Sequence, residues 1–134
     1  MNRIIKIKPA YKDERGTITD VVDGINFVHA GIITFEKGVI RGNHYHKKTV
    51  QLNYIFKGKI KYLSKDLTNK NAKVEEAILN EGDMIESGVN EWHSLEALEE
   101  SVLLFFTKET RIDGGYEEDV FRISPKEIEN FKLK

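Results

Sequence analysis

The sequence predicts an all-β domain, a sandwich or barrel carrying one short helix at its C-terminal end. Three observations lead there. Seven Phe, five Tyr and many Ile and Val stand against only two Pro in 134 residues, a composition that suits pleated, half-buried strands. Turn signals recur at the roughly 8–12-residue spacing of a sandwich or barrel. Only one segment, at the end, carries a good helix start.

Ile5-Lys6-Ile7-Lys8 alternates as a half-buried strand does, and Asp13-Glu14-Arg15-Gly16 then reads as a turn. Thr17–Val22 resumes strand character. Asp23-Gly24 turns the chain into Ile25–Phe35, a β-branched and aromatic run, and Glu36-Lys37-Gly38 turns it again. Short strands follow around His44 and His46, over Val50–Phe56 and, past Lys57-Gly58, over Lys59–Ser64. The polar Leu67–Lys73 stretch is a hairpin loop. Val74–Leu79, Met84–Glu86, Glu91–Leu95, Ser101–Thr107 and Val120–Ile123 complete about ten strands. Ser124-Pro125-Lys126-Glu127 then sets a Ser N-cap, Pro at the first helical position and Glu three residues after the cap.

Length and charge bound the function. A chain of 134 residues with 40% hydrophobic content builds one substantial core, and no repeat or linker divides it, so residues 1–134 are expected to form a single domain. Twenty-one basic and twenty-two acidic residues give a net charge of −1, which leaves no field for nucleic acid or an anionic membrane. The Lys-rich stretches Lys57–Lys61 and Lys65–Lys73 read as solvated strand faces and protected edges. With no cysteine, thiolate catalysis, disulfides and Cys-based metal ligation are excluded. No segment has the apolar length of a signal peptide or membrane span, so the expectation is a cytoplasmic protein.

Chemistry concentrates around two of the four histidines. In His44-Tyr45-His46 the two imidazoles share one face of a strand, because side chains at i and i+2 point the same way. Gln51 follows across a bend and shares phase with Asn53, giving that face an amide-rich lining. His93 stands beside Trp92, which alternates away from it into the wall. Tyr45, Tyr54 and Tyr62 lie near these strands as possible acids, and Glu86 and Glu91, in the stretch around His93, are possible bases. His29, the one ionisable ring of the preceding strand, reads as a hydrogen-bonded residue beside the core.

The spacing resembles the cupin superfamily. Its first motif runs Gly, five residues, His-x-His, four residues, a carboxylate, six residues, Gly; Gly38, His44, His46, Gln51 and Gly58 occupy those places, with the carboxylate changed to an amide. Its second runs Gly, five residues, Pro, one, Gly, two, His, three, Asn. Gly82, Gly88, Asn90, His93 and Ala97 stand there, so the first glycine and the histidine match and the Pro, second Gly and Asn do not. The resemblance implies a cupin barrel, a double-stranded β-helix or jelly roll, with its motifs at 38–58 and 82–97.

It also implies a divalent metal, Zn, Mn, Fe or Ni, held by His44, His46, Gln51 and His93. Small cupins with His-x-His-x4-Gln and a later His, including metal-dependent cyclases of unsaturated sugar acids, are similar to this arrangement. Four neutral ligands would leave the ion its full double charge, which favours Lewis-acid work on an anionic or enediolate oxygen over redox chemistry.

A second resemblance is to cupins that isomerise or epimerise keto sugars carried on a nucleotide diphosphate. It rests on Asp13-Glu14-Arg15-Gly16, Arg41-Gly42, His46-Lys47-Lys48 and Tyr116-x-x-Asp119-x-x-Arg122. It implies that Arg15, Arg41 and Asn53 bind substrate, and that His44 or His46, with Arg41 and Tyr54, carries out catalysis beside a ketone. The expected function is thus an isomerase, epimerase or cyclase acting on a keto sugar, sugar acid or nucleotide sugar. The alternatives are a metal dioxygenase, a metal-free nucleotide-sugar 3,4-ketoisomerase and a non-catalytic sugar- or metal-binding cupin. A homodimer is expected, formed by exchange of the N-terminal strand or by packing of sheet faces.

Overall fold

The computed structural model describes residues 3–132. Its strands are β1 (Ile5–Lys6), β2 (Tyr11–Asp13), β3 (Gly16–Ile18), β4 (His29–Phe35), β5 (Ile40–Tyr45), β6 (Gln51–Lys57), β7 (Lys59–Asp66), β8 (Glu75–Asn80), β9 (Asp83–Ser87), β10 (Glu91–Ala97), β11 (Ser101–Thr107) and β12 (Phe121–Arg122). Two helices, α1 (Gly115–Glu118) and α2 (Pro125–Lys132), lie on either side of β12.

Two five-stranded antiparallel sheets face each other, ordered β1-β9-β6-β11-β4 and β12-β5-β10-β7-β8. Consecutive strands repeatedly cross from one sheet to the other, as in a jelly roll. The separate β2–β3 hairpin closes on Asp13 and Gly16. Strict alternation drives the layering. In β11 the odd-numbered residues Ser101, Leu103, Phe105 and Thr107 are buried and the even-numbered ones are not. Ile55, Ile60, Tyr62, Leu79, Ile85 and Leu103 are fully buried between the sheets and, with Phe35, Leu95 and Phe105, form the core. This apolar filling occupies one part of the barrel, and the polar site lies next to it.

Two glycines are needed where they stand. Gly58, at φ +97°, turns β6 into β7 against the Glu100–Ser101 backbone. Gly42, at φ +89°, lets β5 lie against β10, where a Cβ would meet the His93 carbonyl at 2.9 Å. The C-terminal helix begins as the sequence predicts, with the Ser124 hydroxyl accepting the Glu127 N–H at 3.3 Å. The one-turn α1 was not expected. It follows Gly114 in the left-handed conformation and rests on a bend tied by Asp113. The run predicted from Ile25 becomes a strand only at His29. The first strand is shortened to Ile5–Lys6 and pairs with β9 of its own chain, Lys6 reaching the buried Asp83 carboxylate at 2.6 Å.

Candidate functional site

His44 and His93 face each other across the β5–β10 pair, which carries an irregularity at His93 and Ser94. His46 lies just past the end of β5. The three rings meet edge-on or stacked, with centroids 4.6 Å (His44–His93), 5.0 Å (His44–His46) and 5.6 Å (His46–His93) apart. One nitrogen from each ring lies within 4.8 Å of the other two.

Second partners fix the tautomers. His46 Nδ1 lies 2.8 Å from the Asp119 carbonyl and His93 Nδ1 lies 3.2 Å from the Glu91 carbonyl. A carbonyl only accepts, so each Nδ1 carries the proton and each Nε2 keeps a lone pair. His46 Nε2 is buried without a hydrogen-bond partner. Burial, reinforced by His46 and Arg122, lowers His44 to about 4, and burial with the two other imidazoles lowers His93 to about 3. Burial lowers His46 too, against the pull of Asp119. All three are neutral at pH 7. Clustered neutral imidazoles, two with an unpartnered buried nitrogen (His44 Nδ1 and His46 Nε2) and two held from behind by carbonyls, fit a divalent metal ion.

A cavity of about 460 Å³ opens over this cluster. His44, His93, Gln51 and Asn53 line its floor, and Arg41, Arg111, Tyr116, Glu117 and Arg122 line it from β5 and the C-terminal segment. Arg111 pairs with Glu117 and sits 4.7 Å over the Tyr116 ring. Burial raises the Tyr116 phenol above its ordinary range against the opposing charge of Arg111, so it stays protonated. Its hydroxyl donates to Gln51 Oε1 at 3.2 Å. Gln51 Nε2 in turn donates to Asn53 Oδ1 at 2.8 Å.

The structure therefore brings together His44, His46, His93, Gln51, Asn53 and Arg41 as the sequence predicts. It does not bring Tyr54 or Arg15. Tyr54 follows Asn53 in a strand of period two, so its side chain takes the other face of the sheet beside Met84 and Leu104. Arg15 forms a surface ion pair with Asp13 in the β2–β3 hairpin, 2.7 Å long, and does not line the cavity. His29 donates to the Glu109 carbonyl and packs edge-on against Phe105 and Tyr116. Trp92 is buried in the wall against Phe131. Arg111, Tyr116 and Glu117 were not among the expected site residues, and Arg122 had no role assigned. Tyr116-x-x-Asp119-x-x-Arg122 was the one available signal.

A family model described as the polysaccharide biosynthesis C-terminal domain matches residues 11–113. The chain belongs to that family. Its fold is the RmlC-like cupin barrel, shared by solved structures of sugar-nucleotide enzymes. A dTDP-4-dehydrorhamnose 3,5-epimerase from Sulfolobus tokodaii superposes with a TM-score of 0.75 at 24% identity, covering 92% of this chain and 77% of its own. QdtA, a sugar 3,4-ketoisomerase from Thermoanaerobacterium thermosaccharolyticum in complex with TDP, gives 0.73 at 24%, covering 97% and 93%. The 3,5-epimerase RmlC from Legionella pneumophila, in complex with dTDP-4-keto-L-rhamnose, gives 0.73 at 21%, covering 91% and 72%. No curated protein sequence matches the chain significantly.

Proposed function

We propose that this protein is an isomerase or epimerase of a nucleotide-linked keto sugar, working with a divalent metal held by His44, His46 and His93 with Gln51 beside them. The observation that carries the reading is a single cavity joining the histidine cluster to Arg41, Arg111 and Arg122. Guanidinium groups suit a diphosphate because each offers a planar fork of donors. Solved relatives of the same fold hold TDP and dTDP-4-keto-L-rhamnose, and those ligands set the substrate class proposed here.

The reaction removes a proton from the carbon beside the sugar ketone and returns one to the enediol, at the neighbouring carbon or on the opposite face. The metal, when bound, would polarise the ketone and stabilise the negative charge that develops on its oxygen. Arg41, Arg111 and Arg122 bind the diphosphate and orient the sugar. Tyr116, protonated and at the cavity wall, delivers the proton, and Glu117, a carboxylate in the same wall that pairs with Arg111, receives one. The surrounding apolar side chains Ile33, Leu95 and Leu103 limit water around the intermediate.

A metal-free route would use the histidine cluster beneath the cavity. The unpartnered Nε2 of His46 supports it, since a neutral imidazole held through Nδ1 is itself a competent base. One experiment addresses both routes. Tag-free protein is analysed for metal beside His93→Ala, then incubated with dTDP-4-keto-L-rhamnose in D2O. Deuterium uptake next to the ketone, lost with the metal, is the expected result. Uptake that persists in metal-free protein favours His46 as base, and no uptake with any keto sugar nucleotide defeats the reading.

We also infer a homodimer formed through the outer face of the β4–β11–β6 sheet. Ile32 (69% exposed) and Phe56 (58% exposed) surround half-buried Leu104, Phe106 and Leu52 there, an apolar patch unusual for a solvated sheet. Light scattering should give the mass of a dimer for the parent and of a monomer for Ile32→Glu. Among the described residues no helix is long and apolar enough to cross a membrane. A nucleotide-sugar substrate agrees with a cytoplasmic location.

A further inference from the structure

Behind the cavity a line of buried side chains runs from Tyr116 across the barrel to Glu91. Tyr116 Oη is 3.2 Å from Gln51 Oε1, Gln51 Nε2 is 2.8 Å from Asn53 Oδ1, and Asn53 Nδ2 is 3.0 Å from Ser87 Oγ. Ser87 Oγ is 2.7 Å from the Tyr62 hydroxyl, which is 3.2 Å from Glu91 Oε1. Arg3 closes the line with both terminal nitrogens on the Glu91 carboxylate, at 2.8 and 2.9 Å. It also bonds the Glu86 carbonyl and the Ser64 hydroxyl.

Counting hydrogens gives this line a direction. An ionised carboxylate held by a guanidinium can only accept, so Tyr62 donates to Glu91. A phenol has one hydrogen, so Tyr62 accepts from Ser87, whose own single hydrogen is thereby used. Ser87 must then accept from Asn53, which turns the Asn53 nitrogen toward Ser87 and its oxygen toward Gln51. Gln51 answers with nitrogen, and its oxygen is left facing Tyr116 and the cavity. The order follows from the terminal carboxylate, whichever way the amides are first drawn.

We propose that the Arg3–Glu91 pair, remote from the cavity, sets the polarity of this chain and so makes Gln51 present its carbonyl oxygen to the histidine cluster. Resting on the metal reading above, this makes Gln51 a ligand oxygen for the ion or an acceptor for a substrate hydroxyl, while its N–H stays turned to Asn53. Glu91 then supports the site twice. Its carboxylate orients Gln51 through four intervening links, and its carbonyl holds His93 with the Nε2 lone pair free. Arg3, Glu91, Tyr62, Ser87 and Asn53 are positioning residues. The Tyr62 phenol, pushed well above its ordinary range by burial and by Glu91, keeps its hydrogen for the chain. Asn53 has one further restraint on its amide, a longer bond to the Ile85 carbonyl at 3.3 Å.

Nitrogen-15-labelled, metal-free protein tests this without substrate. In the parent, the Gln51 amide protons should show nuclear Overhauser contacts to Asn53 and none to the Tyr116 ring. Glu91→Gln ends the chain on a group that both donates and accepts, and Tyr62→Phe removes a link with little change of shape. In each, a second Gln51 orientation should appear with its protons beside Tyr116. Affinity for added Zn2+ alone should fall about tenfold, as when a ligand loses its supporting partner. A Gln51 amide unmoved in both variants overturns the proposal. Failure of the parent to bind Zn2+ would instead defeat the metal reading, and the amide geometry would still decide this one.

Discussion

Asp119 grips His46 from two sides. Its carbonyl accepts His46 Nδ1–H at 2.8 Å, and its carboxylate accepts the backbone N–H groups of Lys47, Lys48 and Thr49 at 2.7 to 3.2 Å. The loop after the second histidine is thereby tied to the C-terminal segment, and the imidazole is aimed while its backbone is pinned.

Asp119→Ala should therefore cost about 2–4 kcal/mol, since bonds from backbone N–H to a charged acceptor are among the stronger ones and their removal strands buried donors. Asp119→Asn, which keeps one acceptor oxygen, should lose less. Urea titration of the metal-free protein measures both. Bound metal per chain should fall in the same order, because His46 loses its fixed aim.

Stability of the metal-free protein should rise with pH between about 4 and the usual histidine range. His44 near 4 and His93 near 3 bind protons less readily in the folded than in the unfolded chain. The unfolded state therefore holds more protons in that window, and acid favours it by up to about 1.4 kcal/mol per pH unit for each histidine. Asp119 adds in the same direction lower down. Burial alone would raise its carboxyl, yet the Lys47, Thr49 and Lys48 hydrogen bonds outweigh it and hold it below the ordinary range. Its contribution is complete above the unfolded carboxylate pKa and is lost as pH falls through the folded one. Denaturation midpoints at several pH values, in chelator, check the slope. A flat profile from pH 4 to 6.5 would contradict it.

Arg41→Gln and Arg122→Gln should each weaken TDP binding about tenfold or more, the worth of a charge-assisted bond, and flatten its salt dependence. Arg15→Gln should leave calorimetric affinity unchanged, because its partner is Asp13 on the surface hairpin. Equal losses from all three substitutions would mean that the hairpin reaches the ligand.

Gly42→Ala should reduce stability by about 1–3 kcal/mol, through a positive φ and a methyl forced against the His93 carbonyl. Because that contact separates His44 from His93, metal content should drop even in the fraction that stays folded. Circular dichroism and elemental analysis of the same sample distinguish the two effects.

The sequence discloses the barrel and the histidines for one reason: both depend on local periodicity. His44 and His46 are two apart, turn glycines fall at fixed intervals, and His93 follows its own turn at a set distance. Period two also carried the means to exclude Tyr54, which is out of phase with Gln51 and Asn53 and so faces away. Arg111 and Glu117 were illegible, and Tyr116 was marked only by the Tyr116-x-x-Asp119-x-x-Arg122 resemblance, because no local periodicity indicates that this bend returns to the cavity. That depends on long-range contacts, the Asp119 grip and the pairing of Phe121 with Tyr45 and Arg122 with His44. Arg15 shows the converse, a residue type suited to phosphate whose neighbour Asp13 already occupies it.

The pairing of β12 with β5 has a consequence for how the protein is made. β12, which pairs with the strand that carries His44, emerges from the ribosome well after the histidines it supports. During synthesis the two sheets can close around their apolar filling first, with the three imidazoles present but unaimed. Competence to bind a ligand would then arrive in one late event, when Tyr116, Asp119 and Arg122 clear the exit tunnel and dock together.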